Sequence, residues 1–176
     1  MKPEIYQIEL IGSGSLCVMA KPVANEWIED EFSSIASYGI DRIVSLLENH
    51  EAFDLGLSKE KQLTEKFGME FIQYPIPDRG LPSSVNEYLA FTKRLYHEAA
   101  GGLNTVVHCR AGIGRTGVIA AGVLLHCGFE PMDAIEHISK LRGVAIPDTQ
   151  EQINWVEKSH TILLEEYKDR ELGRTL

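Results

Sequence analysis

The chain has 176 residues, of which 44% are hydrophobic and 24% charged, and its formal net charge is −9. This composition excludes disordered, collagen-like and disulfide-scaffold proteins, and it predicts one domain over residues 1–176 with a core of its own. The negative net charge argues against nucleic acid and membranes as partners. Any anion must therefore be bound by a local site of positive potential.

The cysteines give a hint about the compartment. There are three, Cys17, Cys109 and Cys127, and neither an even count nor a CxxC pair is present. This usage predicts reduced thiols and a cytoplasmic location. The first ten residues lack the apolar stretch of a signal peptide, and the nearly apolar run 118–125 is far shorter than a membrane span of about 20 residues.

Hydrophobic periodicity and turn residues predict alternating strands and helices. In chain order the predicted elements are strands 7–10 and 16–20, helix 26–38, strand 40–47, helix 58–67, strand 69–74, helix 86–100, strand 105–108, helices 116–127 and 132–142, and a last helix that ends near 168. The Ser84/Glu87 and Asp148/Glu151 spacings each predict a capping box at a helix start. The order predicts an α/β fold with a central, mainly parallel sheet of about five strands and helices on both faces. The strand that ends at His108 should be central, with the site at the carboxyl edge of the sheet.

The segment 108–117, which reads HCRAGIGRTG, carries the strongest chemical signal. A loop between a strand and a helix N-terminus points several backbone N–H groups into one concavity, where the helix dipole adds positive charge. Such a loop can bind a tetrahedral dianion, and the Arg115 guanidinium can donate hydrogen bonds to two of its oxygens. In this field Cys109 should form a thiolate, which is a nucleophile for phosphorus. The predicted phosphate-binding residues are Arg110, Ala111, Gly112, Ile113, Gly114 and Arg115.

Two other interpretations of this loop are weaker. A glycine-rich turn around a buried structural cysteine would not require an arginine six positions later, followed by Thr-Gly. A nucleotide-binding P-loop needs Gly-Lys-Ser/Thr, whereas the chain has Gly114-Arg115-Thr116.

Residues 108–117 closely resemble the signature loop of the cysteine-dependent protein tyrosine phosphatase superfamily. The small size of the chain resembles the atypical dual-specificity phosphatases and the kinase-associated phosphatase of the cyclin-dependent kinase inhibitor type. The resemblance implies a phosphatase fold and hydrolysis of phosphotyrosine in a protein substrate, with phosphoserine and phosphothreonine as further substrates. It implies a cysteinyl-phosphate intermediate and no metal or organic cofactor, and it leaves the oligomeric state open.

The resemblance also implies an aspartate that protonates the leaving oxygen, on a mobile loop about 30 residues before the cysteine. Asp78 lies 31 positions before Cys109, between prolines and a glycine. A plain turn aspartate is the alternative for Asp78, and Asp41 and Asp54 are the other candidates for the acid.

Three further residues are expected to support the site. The resemblance implies that the Thr116 hydroxyl helps the cysteine to leave, while His108 is expected to order the loop through hydrogen bonds. Gln152 matches the second glutamine of the family's water-positioning loop, but Asp148 occupies the place of the first. Asp148 as a helix cap and Gln152 as a helix-surface residue is the competing interpretation.

Other assignments remain open at this level. Arg42 or Arg79 can bind a second acidic group of the substrate, and Cys17 or Cys127 can act as a resolving thiol, although each is more simply a buried small side chain. His97, His126, His137 and His160 show no metal-ligand spacing, so no metal is expected.

Two other functions are possible. The chain can act on a non-protein phosphomonoester, such as an inositol phosphate, a phosphoinositide or an RNA 5′ end, or it can bind phosphoproteins without significant catalysis. The acidic balance argues against RNA, and the lack of lysines in the loop argues against phosphoinositides. The presence of Cys109, Arg115 and Asp78 argues against a pure binding module.

Overall fold

The computed structural model describes residues 3–174. Its elements, in chain order, are β1 (Tyr6–Ile11), β2 (Gly14–Met19), α1 (Ile28–Tyr38), β3 (Arg42–Ser45), α2 (Asn49–Asp54), α3 (Glu60–Lys66), β4 (Glu70–Gln73), α4 (Val85–Ala100), β5 (Asn104–His108), α5 (Gly114–His126), α6 (Pro131–Arg142) and α7 (Gln150–Gly173). The predicted elements are confirmed, with ends that differ mostly by one or two residues.

The strands form one five-stranded sheet in the order β1-β2-β5-β3-β4. Only the β1–β2 pair is antiparallel, and β5 pairs in parallel with both β2 and β3. The predicted mainly parallel sheet, with the strand ending at His108 at its centre, is therefore confirmed. The carboxyl ends of β2, β3, β4 and β5 meet at one edge, where an α/β fold places its ligand sites.

Alternating side chains of the buried strands supply two separate cores. Val107 and its cross-strand neighbour Val44 pack with the apolar helix α5 and with α4, α6 and α7. Val106 and Ile43 point to the other face, where Phe32 and Ile35 of α1 cover them. Helix α5 is buried almost all round because it lies between the sheet and the outer helices.

Two local features differ from the sequence prediction. The short helix α2 was not expected, because six residues are too few to show a helical period and its cap is a Glu48/Glu51 box without serine or threonine. The cap of α7 is Thr149, which forms a capping box with Gln152, so the predicted Asp148/Glu151 box is wrong by one residue. At α4, Ser84 accepts the expected hydrogen bond from the Glu87 backbone N–H.

Candidate active site

The segment that connects β5 to α5 folds into a tight loop at the carboxyl edge of the sheet. Gly112 has a φ of +69°, and a Cβ there would collide with the carbonyl group of Met19 at the end of β2. Gly114 is less restricted, because a Cβ there would meet the end of the Asp148 side chain and not a backbone group. The loop is pinned to the chain after β2 by the Lys21 N–H, which donates to the Arg110 carbonyl over 3.1 Å. Gly112 is thus needed for the loop to fit against the end of β2.

Cys109 lies at the start of this loop and is only 3% exposed. Burial raises the pKa of a thiol, but the Thr116 hydroxyl, the backbone N–H groups of Thr116 and Ile113, and the Arg115 charge outweigh it, so the pKa of Cys109 is lowered. The Thr116 hydroxyl is buried and has no oxygen or nitrogen partner within residues 3–174, which leaves it available to the sulfur. This arrangement favours the thiolate form of Cys109 at the N-terminus of α5.

Arg115 is fixed from behind by a residue that the sequence did not indicate. Its guanidinium is 2% exposed and donates two hydrogen bonds to the Glu51 carboxylate, at 2.7 and 3.0 Å, and one to the Ile76 carbonyl, at 2.8 Å. Burial raises the pKa of Glu51, but the hydrogen bonds from Arg115 outweigh it, so the pKa lies below its usual value. Glu51 comes from α2, and its bidentate contact sets the plane of the guanidinium.

Asp78 lies on a turn beside the same guanidinium. Its carboxylate accepts a hydrogen bond from Arg115 over 3.2 Å and is 54% exposed. The turn is closed by the Gly80 N–H, which donates to the Pro77 carbonyl over 2.8 Å, and Arg79 within it has a φ of +56°. The left-handed backbone of Arg79 costs about 1–2 kcal/mol, and the Asp78 carboxylate is oriented by its hydrogen bond from Arg115. Neither of its rivals is placed there: Asp41 binds the Asn104 N–H at the opposite sheet edge, and Asp54 ends α2 on its exposed side.

Below the loop, His108 is fully buried and is bonded at both ring nitrogens. Nε2 lies 2.6 Å from Glu60 Oε1, and Nδ1 lies 3.1 Å from the Cys109 carbonyl oxygen. Glu60 is the first residue of α3 and is itself 3% exposed. These two contacts join His108 to the first residue of the loop and to α3, and they add Glu60 to the site.

Gln152 is fully buried, so its interpretation as a helix-surface residue is wrong. Its side-chain oxygen accepts from the Asp148 and Thr149 N–H groups, and its amide nitrogen donates to the Gly80 carbonyl over 3.2 Å. It therefore joins the start of α7 to the turn that carries Asp78. The Asp148 side chain is not the cap, and it packs instead against Gly114.

The remaining loop residues divide by exposure. Arg110 and Ala111 are exposed at the rim, and the Ala111 carbonyl accepts from Arg142 over 3.0 Å. Ile113 is half-buried and precedes the first turn of α5. Arg79 is exposed beside Asp78, which leaves it free to meet a substrate.

Three other candidates lie away from the site. Arg42 is buried at the amino end of β3 and is paired with Glu70 and Glu98, so it cannot bind a substrate group. Cys17 aligns with Val106, about 10 Å along the strand from Cys109, and packs in the other core. Cys127 follows the far end of α5, about 20 Å from its first residue. A disulfide needs Cα atoms about 4–7 Å apart, so neither thiol can resolve an oxidised Cys109.

In the described range 3–174, no three His, Cys, Asp or Glu side chains are grouped so that they can hold a metal ion. No helix in the same range has the length and apolar character of a membrane span.

Comparisons with known proteins agree with this geometry. A family model described as "Polymorphic toxin system, DSP-PTPase phosphatase" matches residues 17–129, which is well over half of the chain. The chain belongs to this phosphatase family. Human protein tyrosine phosphatase type IVA 3 is 29% identical over 151 residues, which cover 85% of this chain and 79% of the human protein. Rat cyclin-dependent kinase inhibitor 3 is 24% identical over 133 residues, which cover 74% of this chain and 62% of the rat protein.

Solved structures show the same fold. A kinase associated phosphatase whose catalytic-site cysteine was replaced by serine superposes with a TM-score of 0.84 at 22% identity, covering 93% of this chain and 97% of that one. PTPMT1 superposes with a TM-score of 0.75 at 18% identity, covering 94% of this chain and 99% of that one. The family model and the curated relatives identify the protein as a dual-specificity-like phosphatase of the cysteine-based superfamily, as the sequence predicted.

Proposed function

We propose that this phosphatase hydrolyses phosphotyrosine in proteins, and phosphoserine and phosphothreonine as a second class, through a cysteinyl-phosphate on Cys109. The observation that carries the proposal is the Arg115 guanidinium. It lies in the loop that begins with Cys109, it is held by Glu51, and it binds the carboxylate of Asp78. The proposed nucleophile and the proposed acid therefore both lie beside the buried guanidinium that would bind the phosphate.

Substrate binding uses the loop and Arg115 together. The N–H groups of Arg110, Ala111, Gly112, Ile113, Gly114 and Arg115 surround the phosphoryl oxygens, and the guanidinium binds two of them. In the free enzyme Asp78 accepts a hydrogen bond from this guanidinium. A bound dianion competes for the same N–H group and repels the carboxylate, so the substrate displaces Asp78 from Arg115 as it enters.

Two displacements complete the reaction. In the first, the Cys109 sulfur forms a bond to phosphorus while the bond from phosphorus to the leaving oxygen breaks, and Asp78 gives its proton to that oxygen. In the second, a water oxygen attacks phosphorus, the sulfur–phosphorus bond breaks, and Asp78 accepts the proton of the water. Arg115 and the loop amides hold the equatorial oxygens in both steps.

Thr116 and Gln152 support the second displacement. The buried Thr116 hydroxyl, which has no hydrogen-bond partner within residues 3–174, donates to the sulfur as it leaves and stabilises it as a thiolate. Gln152 stands between Gly114 and Gly80, so its amide lies between the phosphate loop and the acid turn, where the attacking water must pass. His108 orders the loop from below.

Charge at the rim favours a protein substrate. Between Cys109 and Arg115 the only basic side chain is Arg110, and the chain carries a net charge of −9, which disfavours a polyanionic inositol lipid. The exposed Arg79 beside Asp78 is a candidate for binding an acidic residue next to the phosphorylated one. The three free thiols agree with a cytoplasmic setting.

The alternative substrate is a non-protein phosphomonoester, because a structural neighbour, PTPMT1, was solved in complex with PI(5)P. The discriminating experiment compares turnover of a phosphotyrosine peptide, a phosphoserine peptide, soluble inositol phosphates and PI(5)P in vesicles. Faster turnover of PI(5)P or an inositol phosphate than of both peptides would replace the proposed substrate class.

The nucleophile is tested with Cys109→Ser, for which Cys127→Ser is the matched control outside the site. The serine hydroxyl is not ionised at neutral pH, so Cys109→Ser should lose all turnover and still bind vanadate or phosphate. Cys127→Ser should retain wild-type rates. Turnover by Cys109→Ser above a contamination control would contradict the mechanism. An Asp78→Ala variant, which binds but does not release the leaving group efficiently, should then capture the physiological phosphoproteins.

A further inference from the structure

A cavity of about 240 Å³ lies between the segment before β1, the end of β2 and the first turn of α1, and the mechanism above does not use it. Its lining combines small or apolar residues with three charged ones, and it consists of Pro3, Glu4, Met19, Ala20, Lys21, Val23 and Glu31. A site for a whole small molecule usually has a volume of about 300–1,000 Å³. The cavity is smaller than that, and its size suits a single side chain.

Glu31 is the buried charged residue of this lining, with an exposure of only 7%. One of its carboxylate oxygens accepts a hydrogen bond from the Val23 N–H over 3.3 Å, and the side chain has no cationic partner within residues 3–174. A carboxylate can accept about four hydrogen bonds, and a buried one is costly unless it is paired or fully bonded. Glu31 therefore lacks a cation, and the cavity gives a cation access to it.

The other lining groups define the chemistry of a ligand that fits the cavity. Glu4 adds a second carboxylate and Lys21 adds one ammonium group, so the lining holds one excess negative charge. In the described range 3–174, neither Glu4 nor Lys21 forms an ion pair. The apolar walls can cover the aliphatic stem of a long side chain while its charged end reaches Glu31. Lysine and arginine are the side chains that combine such a stem with a cationic end.

The cavity lies next to the phosphate loop because the segment after β2 forms part of its wall. Met19 pairs with His108 across the parallel strands, so the following residue, Ala20, lies beside Cys109, about 5 Å away. An extended peptide advances about 3.3 Å per residue, and a side chain within about four positions of the phosphorylated residue can therefore reach the cavity.

We propose that this cavity binds a lysine or arginine side chain of the phosphoprotein substrate, and that Glu31 is the residue that selects it. The inference rests on the proposed function and deepens it, because it names a sequence feature of the substrate. Arg79 follows β4, which lies on the opposite side of β5 from β2 and the cavity. An acidic residue toward Arg79 and a basic residue toward Glu31 would together fix the direction of the bound peptide.

The test measures kcat/KM for phosphotyrosine peptides in which one flanking alanine at a time is replaced by arginine. At the position that reaches the cavity, arginine should raise kcat/KM about tenfold. The gain should come mainly from a lower KM, because the contact is made in the ground state and the transition state alike. Citrulline, which has the shape of arginine without its charge, should give no gain at that position. An arginine scan without a gain at any position would overturn the inference.

Glu31→Gln removes the charge and keeps a side-chain oxygen for the Val23 N–H. It should reduce the arginine gain to less than about twofold and leave kcat for the all-alanine peptide unchanged, since Glu31 touches no reacting group. Asp30→Asn is the matched control, because it removes an exposed carboxylate from the same first turn of α1 and should keep the full gain. Lys21→Ala removes a competing cation and should increase the gain. An equal gain in the wild type and in folded Glu31→Gln would contradict the proposal.

Binding of the same peptides to Cys109→Ser, followed by fluorescence anisotropy, separates this inference from the proposed function. The arginine peptide should bind about tenfold more tightly than the all-alanine peptide, and the difference should vanish when Glu31→Gln is added. Such a preference in a protein whose wild-type form does not turn over the peptides would mark failure of the proposed function alone. Turnover of the peptides without a preference for arginine would mark failure of this inference alone.

Discussion

Two buried arginines at opposite edges of the sheet have the same burial and, in the proposed mechanism, opposite roles. Arg42 is the first residue of β3 at the amino edge and Arg115 is the second residue of α5 at the carboxyl edge, and each side chain is 2% exposed. Each is also bonded to two carboxylates: Arg42 to Glu70 and Glu98, and Arg115 to Glu51 and Asp78. Burial and number of partners therefore do not distinguish a structural arginine from a binding one.

The difference lies in whether a partner can be replaced. Glu70 and Glu98 are both also bound by Arg94, so the amino edge holds a closed network of two cations and two anions. Asp78 lies on an exposed turn, and Arg115 is its only side-chain partner within residues 3–174. An incoming phosphate can displace Asp78 from Arg115 but has no route to Arg42. We infer that a buried arginine becomes a ligand site when one of its anions faces solvent and is not bound by a second cation.

The strongest test of this comparison is lysine at both positions. Arg115→Lys should lower kcat/KM for a phosphotyrosine peptide by about 10⁴-fold, because two transition-state hydrogen bonds, each worth about 10²-fold, are lost. Arg42→Lys should change kcat/KM by less than about threefold, because it touches no reacting group. Steady-state kinetics of both variants gives the two numbers.

The loss of free energy of unfolding should show the reverse order and be larger for Arg42→Lys than for Arg115→Lys. Arg42→Lys loses bonds in the closed network and should lower the free energy of unfolding by about 1–3 kcal/mol in urea titrations. An Arg42→Lys enzyme as inactive as Arg115→Lys, in a folded state, would contradict the assignment of the two edges.

The next test removes the carboxylate of Asp78, which a substrate phosphate can displace from Arg115. Asp78→Asn should slow turnover of phosphotyrosine, whose leaving oxygen has a pKa of about 10, by about 10²–10³-fold. An activated aryl phosphate has a more acidic leaving group and needs the proton less, so its loss should be clearly smaller. Kinetics of both esters with wild type and variant measure the effect, and Glu98→Gln is the matched control at the other edge. Equal losses on both esters would mean that Asp78 only shapes its turn, and Asp148 would be the next candidate for the acid.

The sequence predicted the part of the site that is continuous in the chain. Cys109, Arg115 and the loop glycines lie within seven residues, so their spacing alone places them around one concavity. Asp78 was predicted from the family resemblance, which implies an acid about 30 residues before the cysteine, and from its place after a strand, between prolines and a glycine.

The other residues of the site are brought there by tertiary contacts, which produce no periodic pattern in the sequence. Glu51 and Glu60 come from two short helices of six and seven residues, and an isolated glutamate there looks like a surface charge until the fold brings it against Arg115 or His108. Arg42 was a plausible substrate residue by type alone. Only the strand register, which places Arg42 beside Glu70 at the amino edge, excludes Arg42 as a substrate-binding residue.

The smallest expected effect concerns acid stability, in which the two edges should behave alike. Burial raises the pKa of both Glu51 and Glu98, but hydrogen bonds from their arginines outweigh it, so both pKa values are lowered in the folded protein. A carboxylate with a lowered folded pKa contributes stability above its unfolded pKa of about 4.3, and this stability is lost as the pH falls through the folded value. Glu51→Gln and Glu98→Gln should each lower the free energy of unfolding near pH 7, by about 1–3 kcal/mol for the more buried Glu51 and by less for Glu98. Below about pH 4 the gap between each variant and the wild type should narrow, because the wild-type carboxylate becomes protonated and loses its ion pair. Urea unfolding at a series of pH values measures this gap, and a gap that stays constant down to about pH 3 would show that neither ion pair stabilises the fold through its charge.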